Sequence, residues 1–363
     1  MNTGMSTGTS TGTSTGTAAG SPAPDRPRTA VLGTGAWGTA FAAVLADAGC
    51  PVTMWGVAAD VCAEITTEHR NSGYLPDAVL PPQVRATTDA AEALAGADVV
   101  AVAIPAQVVR SALEPLAGLL GPTAVAVSLM KGVELTSHRR MSEVLGEALH
   151  LPDDRLAVVS GPNLAREIAA HQPTATVVAS RSEATADLVA RACANSYFRP
   201  YTNRDVVGVE LCGAVKNVIA LAVGIAQGSG YGTNTVATVI TRGLVEMTRL
   251  GLALGAHQET FAGLAGMGDL VATCVSPLSR NHTLGVHMGQ GKTLEEAIAA
   301  TGGTAEGVKT SASVRELAAT VGVEMPITEA VVQVLHHGLP IDQMAEMLLN
   351  RPRKAEGVQA GPS

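Results

Sequence analysis

The order of apolar and polar positions divides the chain into two parts of different character. Through residue 205, short apolar runs rich in Val, Ile and Ala alternate with stretches of helical character. Continuous apolar runs of this kind are typical of strands that are covered on both faces. The predicted strands are residues 29–32, 52–55, 98–104, 124–129, 156–159 and 176–179, and the predicted helices between them include 39–48, 90–94 and 141–149.

Strands that alternate with helices indicate parallel βαβ units, because parallel neighbours need a long connection that a helix can provide. Such connections are right-handed in nearly all proteins. We therefore predict an α/β fold in which residues 29–205 form a doubly wound, Rossmann-type parallel sheet. In such a domain, ligands bind outside the carboxyl ends of the strands.

The second part, residues 206–350, lacks strand patterns and is predicted to be an all-helical domain. Apolar residues recur there with a helical period, at positions 236, 239, 240, 244, 247 and 250. Thr293 followed by Glu296 is a capping box that begins a helix, and Gly338 ends the predicted helix 329–337.

Both ends of the chain differ from these two domains. Residues 2–19 consist almost entirely of Thr, Ser, Gly and Ala, without the basic and apolar segments of a signal peptide. We expect residues 1–28 to be a disordered tail and residues 351–363 to be a flexible C-terminal tail.

The composition narrows the possible classes of function. Hydrophobic residues make up 46% of the 363 positions and aromatic residues only 2%, so Ala, Val and Leu must fill the cores. A net charge of −8 without a Lys or Arg cluster argues against a nucleic-acid partner. No membrane segment is expected, since Glu210 and Lys216 interrupt the longest apolar stretch, 206–225. Five scattered cysteines are typical of free thiols in the cytoplasm.

The first candidate site is the glycine-rich loop that follows the first predicted strand. Gly33 would make a tight turn, Gly35 would admit the pyrophosphate of a dinucleotide, and Gly38 would let the next helix pack closely. The strand before the loop and the helix after it favour this interpretation over a ligand-free turn. At Gly56 and Val57 the chain has neither the acid that binds the ribose of NAD nor the Arg that binds the 2′-phosphate of NADP. The sequence therefore predicts a dinucleotide cofactor, NAD or NADP, without deciding between them.

Other polar residues are weaker candidates when each is considered alone. Lys216, next to Asn217 in an apolar helix, could stabilise the alkoxide of a reduced carbonyl, or it could simply extend to solvent. Asp269 lies in a Gly-rich turn that suits either a ligand contact or a helix cap.

A second set of candidates would suit an anion. Lys131 follows a predicted strand, where ligands bind in such folds, although a solvated turn lysine would look the same. Ser279, Arg280 and Asn281 offer a hydroxyl, a guanidinium and an amide for a phosphate, although surface arginines are common. The histidines have no carboxylate or thiol at ligand spacing, so no metal site is predicted.

Several short motifs follow one another in order along residues 29–350. They are the loop Gly33–Gly38, Arg70-Asn71 with Tyr74-Leu75-Pro76, Lys131-Gly132, SGPNLA at 160–165, GAVKNVIA at 213–220, AGMGDLVATC at 265–274, Ser279-Arg280-Asn281, Glu306-Gly307, and VEMPITE at 323–329. In this order they resemble the bacterial form of the NAD(P)-dependent glycerol-3-phosphate dehydrogenase family. Several independent motifs in one order are hard to obtain by chance.

The resemblance implies an enzyme that reduces dihydroxyacetone phosphate, a phosphorylated triose, to sn-glycerol 3-phosphate for phospholipid synthesis. It implies that Lys216 is the catalytic acid or base. The implied substrate contacts are Lys131, Gly161, Asn163, Asn217, Asp269, Ser279, Arg280 and Asn281. The implied cofactor contacts are Gly33, Gly35, Ala36, Trp37, Gly38, Val57, Lys131, Ala165, Arg280, Thr304 and Glu306.

Two other functions fit part of this pattern. Another dehydrogenase with a Rossmann domain and a helical domain could act on a β-hydroxyacid or a sugar acid, but it would not need Arg280 and Asn281 beside Asp269. A non-catalytic NAD-sensing protein would keep the glycine-rich loop and lose Lys216. The sequence is compatible with a homodimer but does not determine the oligomeric state.

Overall fold

The computed structural model describes Met1, residues 26–302 and residues 305–350. Thr304, most of the predicted tail 1–28 and all of the predicted tail 351–363 lie outside the described residues. The strands of the described part are β1 (Thr29–Leu32), β2 (Val52–Trp55), β3 (Val84–Thr87), β4 (Val99–Val102), β5 (Val125–Ser128), β6 (Leu156–Ser160), β7 (Thr174–Ala179) and β8 (Phe198–Asn203).

All eight strands form one sheet in the order β3-β2-β1-β4-β5-β6-β7-β8. Strands β1 to β6 are parallel, whereas β7 runs antiparallel to β6, and β8 runs parallel to β7. The predicted doubly wound α/β fold is confirmed, but the prediction of a parallel sheet was wrong for β7. Residues 161–173, between β6 and β7, contain a five-residue helix, and β7 then returns along β6 in the opposite direction.

Helices cover both faces of this sheet and enclose two apolar cores. Phe41 and Phe198 lie in the core on one face, and Leu113 and Leu145 lie in the core on the other. The helices of this part are α1 (Ala36–Asp47), α2 (Ala59–Glu68), α3 (Ala90–Leu94), α4 (Val109–Leu113), α5 (Met141–Leu149), α6 (Ala165–Ala169) and α7 (Glu183–Cys193).

Beyond β8, every regular element in the described part of the chain is helical, as predicted. The capping box of Thr293 and Glu296 and the helix end at Gly338 are also present. The predicted domain boundary at residue 205 stays a prediction. The helices are α8 (Val206–Gly228), α9 (Thr233–Ala253), α10 (Gln258–Ala262), α11 (Asp269–Val275), α12 (Arg280–Gly289), α13 (Leu294–Ala300), α14 (Glu306–Thr320), α15 (Pro326–His337) and α16 (Ile341–Leu349).

Helix α8 is the central helix of this second part. Contrary to the expectation from its two charged residues, it is long and apolar enough to cross a membrane by length and composition alone. However, 89% of its most apolar window is buried inside the protein, against α9, α11, α12, α14 and α15. Glu210, Lys216 and Asn217 of α8 are each 5% exposed, so their polar groups need partners within the protein.

Candidate active site

The glycine-rich loop between β1 and α1 has the shape that a dinucleotide requires. Gly33 has a φ of +117°, and a Cβ there would lie 2.5 Å from the carbonyl oxygen of Ala103. A Cβ at Gly38 would overlap the carbonyl of Gly33, whereas one at Gly35 would meet nothing within 4 Å. The loop is therefore closely packed at Gly33 and Gly38 and open at Gly35. The open position lies at the N-terminus of α1, and helix N-termini favour the binding of phosphate groups.

The loops after β1, β4, β5 and β6 meet at the carboxyl edge of the sheet. Lys131, after β5, donates a hydrogen bond of 2.9 Å from Nζ to the carbonyl oxygen of Gly161, after β6. Helix α8 crosses this edge, since a Cβ at Gly213 would lie 3.0 Å from Oγ of Ser160. Asn217 of α8 also donates to the carbonyl oxygen of Lys131 at 3.4 Å. Helix α8 thus lies directly against the carboxyl edge of the sheet, where the glycine-rich loop also lies.

Two lysines meet one carboxylate at this junction. Lys131 Nζ donates to Oδ2 of Asp269 at 2.7 Å, and Lys216 Nζ donates to Oδ1 of the same side chain. Asp269 is 1% exposed and Lys216 is 5% exposed. The alternative in which Lys216 extends to solvent is wrong, and the carboxylate of Asp269 binds lysines rather than capping a helix.

Burial changes the acidity of Lys216. Loss of solvation lowers the pKa of this ammonium group, the charge of Asp269 opposes that fall and the charge of Lys131 adds to it, which together bring the pKa to about 7. Lys216 can therefore take up or release a proton near neutral pH, as a general acid or base must.

A π-helical turn, Leu264–Gly268, places Asp269 at the start of α11. A Cβ at Gly266 would overlap the carbonyl of Phe261, so this turn requires a glycine. One turn later, Thr273 accepts a hydrogen bond of 2.7 Å from Lys216 and donates one of 2.6 Å to the carbonyl of Asp269. Sequence reasoning missed Thr273, although its spacing of four residues from Asp269 places both on one helix face.

The predicted phosphate residues lie at the start of α12. Ser279 caps this helix by accepting from the backbone N–H of His282, and Asn281 accepts from the N–H of Gly307 at 2.9 Å. Arg280 between them is exposed. The side chains of Ser279 and Asn281 thus have structural bonds of their own, while the guanidinium is accessible to a ligand.

Helix α8, which carries Lys216, is in close contact with α12, which begins at Arg280. A Cβ at Gly224 of α8 would overlap the carbonyl of His282, and one at Gly285 of α12 would overlap the carbonyl of Leu221. The two helices therefore touch backbone to backbone at these positions.

Glu306, at the start of α14, shares the electrostatic environment of this cluster. Burial raises the pKa of its carboxyl group, and the positive charges of Arg280, Lys131 and Lys216 oppose that rise. The structure thus places five of the predicted site residues in one electrostatically coupled group: Lys131, Lys216, Asp269, Arg280 and Glu306.

Within the described part of the chain, the remaining predicted residues form no hydrogen bond or ion pair with the side chain of Asp269. Asn163 donates to Oγ1 of Thr176 at 2.9 Å, and Ala36, Trp37 and Ala165 pack against the same core. Val57, after β2, is 86% exposed.

Comparison with known proteins agrees with this arrangement. The profile of the NAD-dependent glycerol-3-phosphate dehydrogenase N-terminus matches residues 28–186, and that of the C-terminus matches residues 205–346. Glycerol-3-phosphate dehydrogenase (NAD(P)+) of Streptomyces griseus is 58% identical over 329 residues, which cover 91% of this chain and 98% of that protein. The corresponding enzyme of Thermobifida fusca is 57% identical over 330 residues, with coverage of 91% and 98%.

A solved structure supports the same relationship. The crystal structure of glycerol-3-phosphate dehydrogenase from Coxiella burnetii superposes with a TM-score of 0.85 at 38% identity, covering 90% of this chain and 99% of that one. The same family is indicated by the profiles of both halves of the chain, by relatives that are more than 50% identical and by the solved structure with the same fold. The chain belongs to the NAD-dependent glycerol-3-phosphate dehydrogenase family.

Proposed function

We propose that this protein transfers a hydride between NADH or NADPH and dihydroxyacetone phosphate, forming sn-glycerol 3-phosphate. The observation that carries the assignment of roles is the contact of Lys131 and Lys216 with Asp269, at the edge of the sheet where the glycine-rich loop lies. Through Asp269, this contact links Lys216, the proposed proton donor, to Lys131, the proposed anion-binding lysine, beside the proposed dinucleotide loop. Neither a β-hydroxyacid dehydrogenase nor an NAD sensor is favoured by a comparable observation.

The glycine-rich loop fits the proposed dinucleotide. Gly33, Gly35 and Gly38 would shape the loop, and Ala36 and Trp37 would begin the helix that faces the pyrophosphate. We also assign Val57, Ala165, Thr304 and Glu306 to the cofactor side, with Lys131 and Arg280 shared between cofactor and substrate. When bound, the nicotinamide supplies the hydride that the substrate carbon C2 accepts.

Lys216 would supply the proton of the new hydroxyl group. As C2 gains a hydride, negative charge develops on the carbonyl oxygen, and Nζ of Lys216 gives it a proton. Asp269 and Thr273 hold Nζ in one position, because both accept hydrogen bonds from it. In the reverse direction, the neutral amine of Lys216 takes the hydroxyl proton.

The substrate phosphate would be bound by cations and hydrogen-bond donors. Lys131 and Arg280 supply positive charge, and charge-assisted hydrogen bonds to a phosphate are the strong ones. The remaining proposed substrate contacts are Gly161, Asn163, Asn217, Asp269, Ser279 and Asn281.

A comparison of two ketones tests this proposal. NADH and NADPH oxidation is followed by absorbance with dihydroxyacetone phosphate and, in parallel, with unphosphorylated dihydroxyacetone. We expect rapid oxidation with the phosphorylated ketone and a rate lower by at least about 100-fold with the other, since two or more charge-assisted contacts are lost. Absence of oxidation with both cofactors would refute the function, and equal rates on both ketones would refute phosphate recognition.

We further propose that the protein is a homodimer. Exposed apolar residues recur from just before α11 to just beyond it, at Met267, Val271, Val275 and Leu278. Contiguous exposed apolar side chains of this kind are typical of interfaces between chains. Sedimentation equilibrium is expected to give twice the mass of 36.8 kDa, and a single-chain mass would contradict this proposal.

A cytoplasmic role in supplying phospholipid synthesis is also proposed. All five cysteines are buried and free, as is typical of a reducing compartment. Fractionation of cells that express the protein is expected to place it with soluble cytoplasmic enzymes. Recovery with membranes would contradict this location.

A further inference from the structure

Asn71, in the segment between α2 and β3, has no part in the function proposed above. Helix α2 ends at His69 in the left-handed conformation, with a φ of 53°, and the chain turns so that the N–H of Leu75 donates to the carbonyl of Asn71 at 2.8 Å. The side chain of Asn71 is turned into the protein and is 1% exposed. Its position is therefore fixed by the backbone on either side.

The amide of Asn71 binds the glycine-rich loop. Its Nδ2 donates to the carbonyl oxygen of Thr34 at 2.9 Å and to Oγ1 of Thr39 at 2.8 Å. Oγ1 of Thr39 in turn donates to the same carbonyl of Thr34 at 3.4 Å. Both N–H groups of the amide are thus used on the loop and on the first turns of α1.

These bonds fix the peptide group between Thr34 and Gly35. A trans peptide is planar, so its N–H points opposite to its carbonyl. With the carbonyl of Thr34 held toward Asn71, the N–H of Gly35 points away from it. A Cβ at Gly35 would meet nothing within 4 Å, so there is room for a ligand group beside this residue.

The other end of the amide makes no stabilising contact. Oδ1 of Asn71 is buried without a hydrogen-bond partner. A buried acceptor without a partner costs stability, so an apolar side chain would suit this position better if packing alone mattered. The hydrogen bonds that its two N–H groups donate therefore explain why an amide side chain occupies this position.

We propose that Asn71 is a positioning residue for the dinucleotide, which orients the Thr34–Gly35 peptide so that its N–H can bind the pyrophosphate. This inference deepens the proposed function. It rests on one part of that function, the binding of NADH or NADPH by the glycine-rich loop. Binding measured without any ketone keeps the two claims separate, because failure to reduce dihydroxyacetone phosphate would leave dinucleotide affinity unchanged.

The test compares Asn71→Leu with a matched control, Thr66→Val. Oγ1 of Thr66 in α2 donates to the carbonyl of Ala86 and accepts from its N–H, both at 2.9 Å, so the control also removes two hydrogen bonds from this part of the fold. The Kd of NADH and of NADPH is measured by fluorescence, and Tm by thermal unfolding. We expect Asn71→Leu to raise Kd about tenfold, and Thr66→Val to raise it less than about twofold at a similar loss of Tm.

A second variant gives a readout that a purely structural role would not move. In Asn71→Asp, the carboxylate cannot donate to Thr34, and its charge repels the pyrophosphate, so Kd at pH 8 should rise by more than in Asn71→Leu. As the pH falls, the protonated carboxyl can donate to Thr34 again, so affinity should recover relative to the wild-type protein. Equal Kd values for Asn71→Leu and Thr66→Val, or an Asn71→Asp affinity that follows the wild-type pH profile, would overturn the proposal.

Discussion

Replacing Asp269 by Asn tests whether one carboxylate holds both lysines at the reaction site. In the wild-type protein, Oδ2 accepts from Lys131 at 2.7 Å and Oδ1 accepts from Lys216, with no appreciable exposure to solvent. An amide has the same shape without the charge. Two ammonium groups would then lie close together without an anion between them.

The size of the effect follows from the acidity of Lys216. Removing one partner of a buried ion pair costs about 3–5 kcal/mol, but the protein can limit that cost by releasing the proton of Lys216, whose pKa is already lowered to about 7. A further fall of about two units corresponds to ~2.7 kcal/mol. Lys216 would then be protonated in about one molecule in 300 at pH 7.5, instead of about one in four. The rate of ketone reduction should fall roughly 100-fold at this pH.

The assay measures NADH oxidation with dihydroxyacetone phosphate from pH 5 to 9 for the wild-type protein and for Asp269→Asn. The variant should regain activity toward low pH, where Lys216 becomes protonated again. Asp187→Asn, an exposed carboxylate on α7, serves as the control for a change of one charge. The reasoning is refuted if Asp269→Asn keeps its activity at pH 7.5 within about threefold and shows the wild-type pH profile.

Three further predictions concern pH, the phosphate site and helix packing. Reduction needs protonated Lys216, so the kcat/KM for dihydroxyacetone phosphate should begin to fall as the pH rises through about 7, while the kcat/KM for oxidation of glycerol 3-phosphate, which needs the neutral amine, should rise and then level off near the same pH; bends more than about two pH units away from 7 would contradict this role. Arg280→Ala should raise the KM for dihydroxyacetone phosphate about 10- to 100-fold, and at saturating NADH, where a lost cofactor contact has little effect, it should leave the rate on dihydroxyacetone nearly unchanged; an equal effect on both ketones would argue against phosphate binding by Arg280. Gly224→Ala should lower the free energy of unfolding by about 1–3 kcal/mol, since the added Cβ overlaps the carbonyl of His282. Gly118→Ala, where a Cβ meets nothing within 4 Å, is the control, and equal denaturation midpoints for the two variants would exclude close helix contact.

Local patterns were enough to predict much of the fold. Strands β1 and β2 and helices α3 and α5 have the predicted bounds, because each is a short apolar or helical run with clear turn residues around it. Strand β3 was missed, since its sequence VRAT carries a charge and has no continuous apolar run. The antiparallel direction of β7 relative to β6 was not predictable either, because the sequence of an apolar strand does not show whether it runs parallel or antiparallel to its neighbour.

The chemistry of the site was less predictable than its location. The glycine-rich loop is one local motif, so its strand and helix context could be read directly. Lys131 and Asp269 are 138 positions apart, and each was ambiguous alone. Only the fold shows that both lysines meet one carboxylate.

A buried ion pair between α5 and α8 was missed for a similar reason. Arg140 donates to Glu210, which also accepts from the N–H of Ser142 at 2.7 Å. In the sequence, Glu210 appeared only as a charge that interrupts an apolar helix. Its partners lie 70 and 68 positions away, at Arg140 just before α5 and at Ser142 in the first turn of α5, and no periodicity reports such a contact.

The most direct test of the central claim is a single-turnover measurement on Lys216→Ala. The variant, preloaded with NADH, is mixed with saturating dihydroxyacetone phosphate, and the loss of NADH absorbance is followed. Because Lys216 is proposed to give the proton and not to hold the dinucleotide, we predict wild-type affinity for NADH and hydride transfer slower by about 10²- to 10⁴-fold. Transfer at a rate near that of the wild-type protein would contradict the account.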